Sequence, residues 1–193
     1  MDPEMLTTLP EKEFINGMAE VIKHGVIRDG AYFRMLDERF DRIMAREPAA
    51  LQDVIAGSCR IKAAVVAEDE KEANIRRILN FGHTIGHAVE AASKFRILHG
   101  FGVGIGMVAA ARISLMKGLF DQQTFDAITA MITRYGLPTG VPDQLDRSLI
   151  KSYLLADKKR IGSKTSFILA IDIGAVVITE DVSEADIDAV LNL

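Results

Sequence analysis

Apolar residues recur at helical spacing through most of the 193-residue chain, and β-favouring runs are confined to its end. That distribution restricts the chain to a mainly α fold with a small β-hairpin near the C-terminus. After Pro10, Glu11 and Glu13 suit a first helical turn, and Phe14, Met18, Ile22 and Val26 repeat every fourth residue. Glu20 lies on another face of this helix, with Lys23 one turn on, and Asp29-Gly30 ends it. A second helix is predicted over about 31–46 and a third over about 49–67. The third carries Leu51, Val54, Ile55, Ser58, Lys62, Val65 and Val66 as its inner stripe. Lys62 among apolar positions is open to two readings: a snorkelling stem, or a cation with a task. The charged segment from Asp69 to Arg77 reads as a loop or a frayed helix end.

The run from Gly100 to Gly106 lacks the spacing of a dinucleotide loop and follows no clear strand. It reads as the start of a closely packed helix continuing to Met116. Asp121 caps the next helix, which stops at Gly136-Leu137-Pro138, and a further helix covers about 145–159. Thr165 to Ile171 and Ala175 to Thr179, separated by Asp172-Ile173-Gly174, predict the hairpin. Ser183 with Asp186 opens a last short helix.

The net charge of −4 argues against general nucleic-acid binding, while leaving room for a local cationic pocket. One cysteine, Cys59, excludes an internal disulfide and suits a reducing, cytoplasmic setting. No stretch offers the roughly 18 to 20 uninterrupted apolar residues of a membrane span. The first residues lack the basic start and apolar run of a signal peptide.

Chemistry concentrates in Asn80-Phe81-Gly82-His83-Thr84-Ile85-Gly86-His87, followed by His99-Gly100. Three of the four histidines fall in this region. His83 and His87 share a helix face, and with His99 they offer most of a divalent-metal site. The pair lacks the glutamate of H-E-x-x-H, so spacing alone leaves a metal site and an incidental pair equally open. A carboxylate is still wanted, and Glu20 competes with many surface acids. Arg76, Lys62, Lys158 and Lys159 are candidate anion contacts, although each taken singly reads as a solvated cation.

Glu20-Val21-Ile22-Lys23, the Leu79–His87 block and His99-Gly100, in that order, resemble the 3-dehydroquinate synthases. Thr8-Leu9-Pro10, Asp69-Glu70 with Glu72 and Arg76, and Asp157-Lys158-Lys159 extend the resemblance. Sugar-phosphate cyclases in general share most of these motifs. The resemblance covers the C-terminal half of that family. It implies that residues 1–193 form a single helical metal- and substrate-binding domain, and that the family's N-terminal NAD-binding α/β domain is absent.

Position by position, the resemblance makes Glu20, His83 and His99 the ligands of Zn²⁺ or Co²⁺. His87 becomes a substrate-side residue that moves a proton, and Glu72 a proton acceptor, with Lys23 and Arg76 beside them in catalysis. Lys23, Lys62, Arg76, Asn80, His87, Lys158 and Lys159 become substrate contacts, and Met5, Leu6, Thr7 and Thr8 touch NAD. The implied reaction converts 3-deoxy-D-arabino-heptulosonate 7-phosphate, a phosphorylated sugar acid of the shikimate pathway, to 3-dehydroquinate and phosphate. NAD is reduced and reoxidised within one turnover. A homodimer and reliance on the missing NAD-binding half are implied too, which makes the chain by itself inactive.

Phe101 stands where the family usually has glutamate, which removes an acidic partner from the metal's surroundings. Asn74 replaces a glycine, and His24 a common tyrosine. Two rival readings remain: another cyclase or metal-dependent polyol dehydrogenase domain, and a non-catalytic metal-binding module.

Overall fold

The computed structural model describes residues 2–71, 75–161 and 166–192, and of residues 156–161 the backbone alone. Helices α1 (Glu11–Arg28), α2 (Gly30–Glu38), α3 (Phe40–Met44) and α4 (Pro48–Glu68) come first. They are followed by α5 (His83–Ala92), α6 (His99–Met116), α7 (Gln122–Arg134) and α8 (Arg147–Ile161). The antiparallel strands β1 (Phe167–Asp172) and β2 (Ala175–Thr179) precede α9 (Glu184–Leu191). Short 3₁₀ turns occupy Pro3–Leu6 and Ile75–Asn80.

Asp29 explains the first break. Its extended backbone ends α1, and its carboxylate accepts the Tyr32 amide of α2 at 2.9 Å. The predicted single helix over about 31–46 is two helices, parted at Arg39. The Leu36 carbonyl, which an unbroken helix would offer to Phe40, instead accepts the buried Tyr135 hydroxyl at 2.9 Å. Phe40 turns edge-on to that tyrosine ring, with centroids 4.9 Å apart, while Ile43 is driven into the core. On α4 the buried face is Ala50, Leu51, Val54, Gly57, Ile61 and Val65. The predicted stripe was therefore rotated towards Lys62, which is exposed.

α6 is the centre of the fold. It packs against α5, α1, α7, α9 and β1, which is why it is apolar nearly all round and shows no single hydrophobic face. By length and composition it is apolar enough to cross a membrane, but most of it is buried inside the molecule. Its contact with α5 is made by glycines. A Cβ on Gly106 would lie 1.8 Å from the Gly82 carbonyl oxygen, and one on Gly86 2.8 Å from that of Gly102. The predicted role of the glycine-rich run, close helix packing, is what the structure shows.

The predicted hairpin is present. Phe167 pairs with Thr179 and Asp172 with Ala175, with an irregularity between Ala170 and Asp172. Its turn docks on α1, where the Gly174 amide donates to the Val26 carbonyl at 2.8 Å. Ser183 and Asp186 form a reciprocal capping box at the start of α9, as their spacing predicts.

Candidate metal centre

Three helices bring the site together. α1 carries Glu20, α5 begins at His83, and α6 begins at His99. α6 is fixed to α1 at its first turn, where the Gly100 amide donates to Asn16 Oδ1 at 2.7 Å. A Cβ on Gly100 would sit 1.9 Å from the Asn16 carbonyl oxygen. Asn16 is one turn before Glu20, so this clamp sets the distance between Glu20 and His99. Sequence reading missed Asn16, because nothing local marks a residue whose partner lies 84 positions away.

Glu20 Oε2 accepts from Lys23 Nζ at 2.5 Å. Glu20 Oε1 is buried and has no hydrogen-bond partner among the described residues. It faces His83 Nε2 at 3.4 Å and His99 Nε2 at 3.8 Å. The other nitrogen of each ring is occupied: His83 Nδ1 lies 3.2 Å from the Phe81 carbonyl, and His99 Nδ1 lies 3.1 Å from Glu90 Oε1. A carbonyl can only accept, so His83 Nδ1 carries the proton and Nε2 the lone pair. The carboxylate of Glu90 assigns the same tautomer to His99. One carboxylate oxygen and the Nε2 atoms of two imidazoles thus converge, with the other nitrogen of each ring already engaged.

Burial and the Lys23 ammonium lower the His83 pKa to about 4, so the ring is neutral at pH 7. Burial alone would push the Glu20 carboxyl up, but the charge and hydrogen bond of Lys23, with His83 and His24, hold it below its ordinary value. A divalent cation would complete such a group. Tetrahedral ligands at ~2.1 Å from an ion stand about 3.4 Å apart, close to the spacings seen here. The residues fit a zinc-like divalent ion with three protein ligands and an open side.

The other described candidates are distributed over α1, α4, α5, α8 and the two 3₁₀ turns. His87 is exposed one turn further along α5, its ring centroid 5.2 Å from His83 and 5.7 Å from His99. Lys23 is only 2% exposed and turned to Glu20. Burial lowers its pKa, against the opposing pull of Glu20. Lys62 is exposed on α4, near enough to act electrostatically on Lys23. Arg76 is half-buried in the second 3₁₀ turn, where its amide donates to Asp69 Oδ2 at 3.1 Å. Asn80 is exposed at the end of that turn. Asp157, Lys158 and Lys159 lie on α8, which packs against α5. Their side chains, together with Glu72 and Asn74, fall outside the described residues. Met5 and Leu6 belong to the first 3₁₀ turn, which packs on α4, and Thr7 and Thr8 follow it. Phe101, in place of an acid, takes the Lys12 ammonium over its ring at 5.9 Å.

From α5, Glu90 places its carboxylate 3.1 Å from His99 Nδ1. Sequence reading passed over this residue, although His83, His87 and Glu90 stand at positions 0, 4 and 7 of one helix face.

His24 is not incidental to stability. It is 4% exposed, and its Nδ1 lies 2.8 Å from Ser58 Oγ. Burial, with Lys23 nearby, lowers its pKa to about 4 from 6.5. A buried neutral histidine stabilises the fold fully above its unfolded pKa and loses that contribution as pH falls towards the folded one. His24→Gln is therefore expected to flatten the stability profile between pH 6.5 and 4, by up to about 3 kcal/mol. Denaturant melts of both forms across that window check this.

The family model for the C-terminal region of 3-dehydroquinate synthase matches residues 17–160. This chain belongs to that family. The 3-dehydroquinate synthase of Desulforamulus reducens is 45% identical over 193 residues, covering 100% of this chain and 54% of the relative. That of a Synechococcus strain is 46% identical over 194 residues, covering 99% and 53%. The chain thus spans about half the length of the curated relatives it matches. Among solved structures, 2-epi-5-epi-valiolone synthase from Streptomyces hygroscopicus, with NAD⁺ and Zn²⁺ bound, shares the fold. Its TM-score is 0.90 at 24% identity, over 99% of this chain and 53% of that one. A 2-deoxy-scyllo-inosose synthase complexed with carbaglucose-6-phosphate, NAD⁺ and Co²⁺ matches with a TM-score of 0.86 at 26% identity, over 98% and 54%.

Proposed function

We propose that the chain is the metal- and substrate-binding half of a 3-dehydroquinate synthase. In that role it converts 3-deoxy-D-arabino-heptulosonate 7-phosphate to 3-dehydroquinate and phosphate together with an NAD-binding half. The observation that carries this reading is the convergence of Glu20 Oε1, His83 Nε2 and His99 Nε2, with the other nitrogen of each ring already engaged. When bound there, Zn²⁺ or Co²⁺ polarises a substrate oxygen, and the nicotinamide supplies the hydride step.

The chain's own residues then divide the remaining work. Lys23 neutralises one oxygen of Glu20 and leaves the other for the ion. Arg76, Lys62, Lys158 and Lys159 supply cations for the carboxylate and phosphate of an anionic substrate, and Asn80 an amide. In this reading His87, exposed one turn along α5 from His83, moves a proton, and Glu72, by resemblance, is a proton acceptor. Met5 to Thr8 meet the nucleotide from this side. A homodimer in the cytoplasm belongs to the same reading; the family resemblance supports the first and the lone Cys59 the second.

Identity of 45% to 3-dehydroquinate synthases, against 24% and 26% to the other cyclases, favours this substrate over theirs. The test mixes the chain with an NAD-binding half, NAD and Zn²⁺ or Co²⁺, and measures phosphate release. Release from the heptulosonate, with 3-dehydroquinate as product, is expected. Turnover of other sugar phosphates alone would move the chain to a cousin cyclase. Inertness with all of them would favour a non-catalytic metal module.

A further inference from the structure

We propose that Glu90 is a positioning residue for His99, fixing its tautomer and ring orientation so that Nε2 is presented to the metal; this rests on the metal-centre reading above. Glu90 is 9% exposed, and its Oε1 lies 3.1 Å from His99 Nδ1. A buried carboxylate needs a donor, and this imidazole N–H supplies one. In return the carboxylate selects the Nδ1–H tautomer and makes Nε2 a better donor to an ion.

His99 needs such a tether. Its side chain is 45% exposed, against 13% for His83, so packing alone does not hold the ring. The fold holds Glu90 instead. A Cβ on Gly102 would lie 2.9 Å from Glu90 Cγ and 3.3 Å from its Oε1, so the missing side chain in the first turn of α6 is the space Glu90 fills.

A rival geometry shares these atoms. His87, Glu90 and His99 form a second group whose donor atoms lie within 4.8 Å of one another. There Glu90 would be a ligand. The orphaned Oε1 of Glu20 favours the first group, because the second leaves that buried atom unexplained.

The test measures Zn²⁺ affinity by competition with a chromogenic chelator, and the visible spectrum of the Co²⁺-loaded chain. Wild type, Glu90→Gln, Glu90→Ala and Glu20→Gln are compared. Glu90→Gln keeps the shape and a weaker acceptor, so it guards against a folding artefact. One ion per chain is expected in both Glu90 variants. Affinity should fall about tenfold in Glu90→Gln and towards a hundredfold in Glu90→Ala. The Co²⁺ bands should shift in both, which a merely structural role would not cause. Unchanged affinity and spectrum would overturn the proposal while leaving the metal centre intact. Binding lost in Glu90→Gln but kept in Glu20→Gln would also overturn it, making Glu90 a ligand. A wild-type chain that binds no ion would overturn the metal-centre reading itself, and the proposal with it.

Discussion

Replacing His83 with alanine is expected to abolish stoichiometric binding of Zn²⁺ or Co²⁺, whereas replacing His87 with alanine leaves one ion per chain. The two histidines look equivalent in sequence, four residues apart on one helix face. The fold separates them. His83 is largely buried, hydrogen-bonded to the Phe81 carbonyl and aimed at Glu20 Oε1 at 3.4 Å. His87 is exposed. Changes to residues that merely support a ligand cost ~10–100-fold in metal affinity, so losing a ligand should cost more than about a hundredfold. His87→Ala should instead impair turnover in the reconstituted enzyme. Equilibrium dialysis with elemental analysis separates the two, and equal loss of metal in both variants would refute the division.

The second large effect is expected far from any ligand. Gly106→Ala places a Cβ 1.8 Å from the Gly82 carbonyl oxygen and 2.8 Å from the Gly86 amide nitrogen. Both are backbone atoms of the facing segment and cannot rotate away, so α5 and α6 must separate. The gain of up to ~1 kcal/mol in helix propensity is overwhelmed by this clash. A loss of about 3 kcal/mol or more is expected. For a chain of this size that lowers the melting temperature by roughly 10 °C. Because α5 carries His83 and α6 carries His99, metal affinity should fall with it. Gly17→Ala is the contrasting case: beyond its chain neighbours and the backbone of its own helix turn, no described residue comes within 4 Å of its added Cβ, and it should gain about 0.5–1 kcal/mol. Thermal melts of both variants check the pair.

Most of the helices were legible because their inward faces repeat at helical spacing, as Phe14, Met18, Ile22 and Val26 do on α1. The hairpin and the capping box of α9 announced themselves by composition and turn chemistry. The parting of α2 and α3 was not legible. It depends on the Tyr135 hydroxyl reaching Leu36, a tertiary contact with no local signature. The inner face of α4 was misjudged by one position, because Ile61 and Lys62 are adjacent and both fit an approximate helical stripe.

At the site, the three histidines stood out, but spacing could not divide them. Their separation into His83 and His99 on one side and His87 on the other depends on how α6 crosses α5 and α1. That crossing is set by close glycine contacts and by Asn16. Glu90 was hidden for the same reason. Its face on α5 could be read from the sequence, but its partner could not.

The most direct measurement is anomalous scattering at the metal edge from crystals of the Zn²⁺- or Co²⁺-loaded chain. One peak is expected, within about 2.3 Å of Glu20 Oε1, His83 Nε2 and His99 Nε2. A peak held by His87 and Glu90, with Glu20 and His83 unligated, would contradict the assignment.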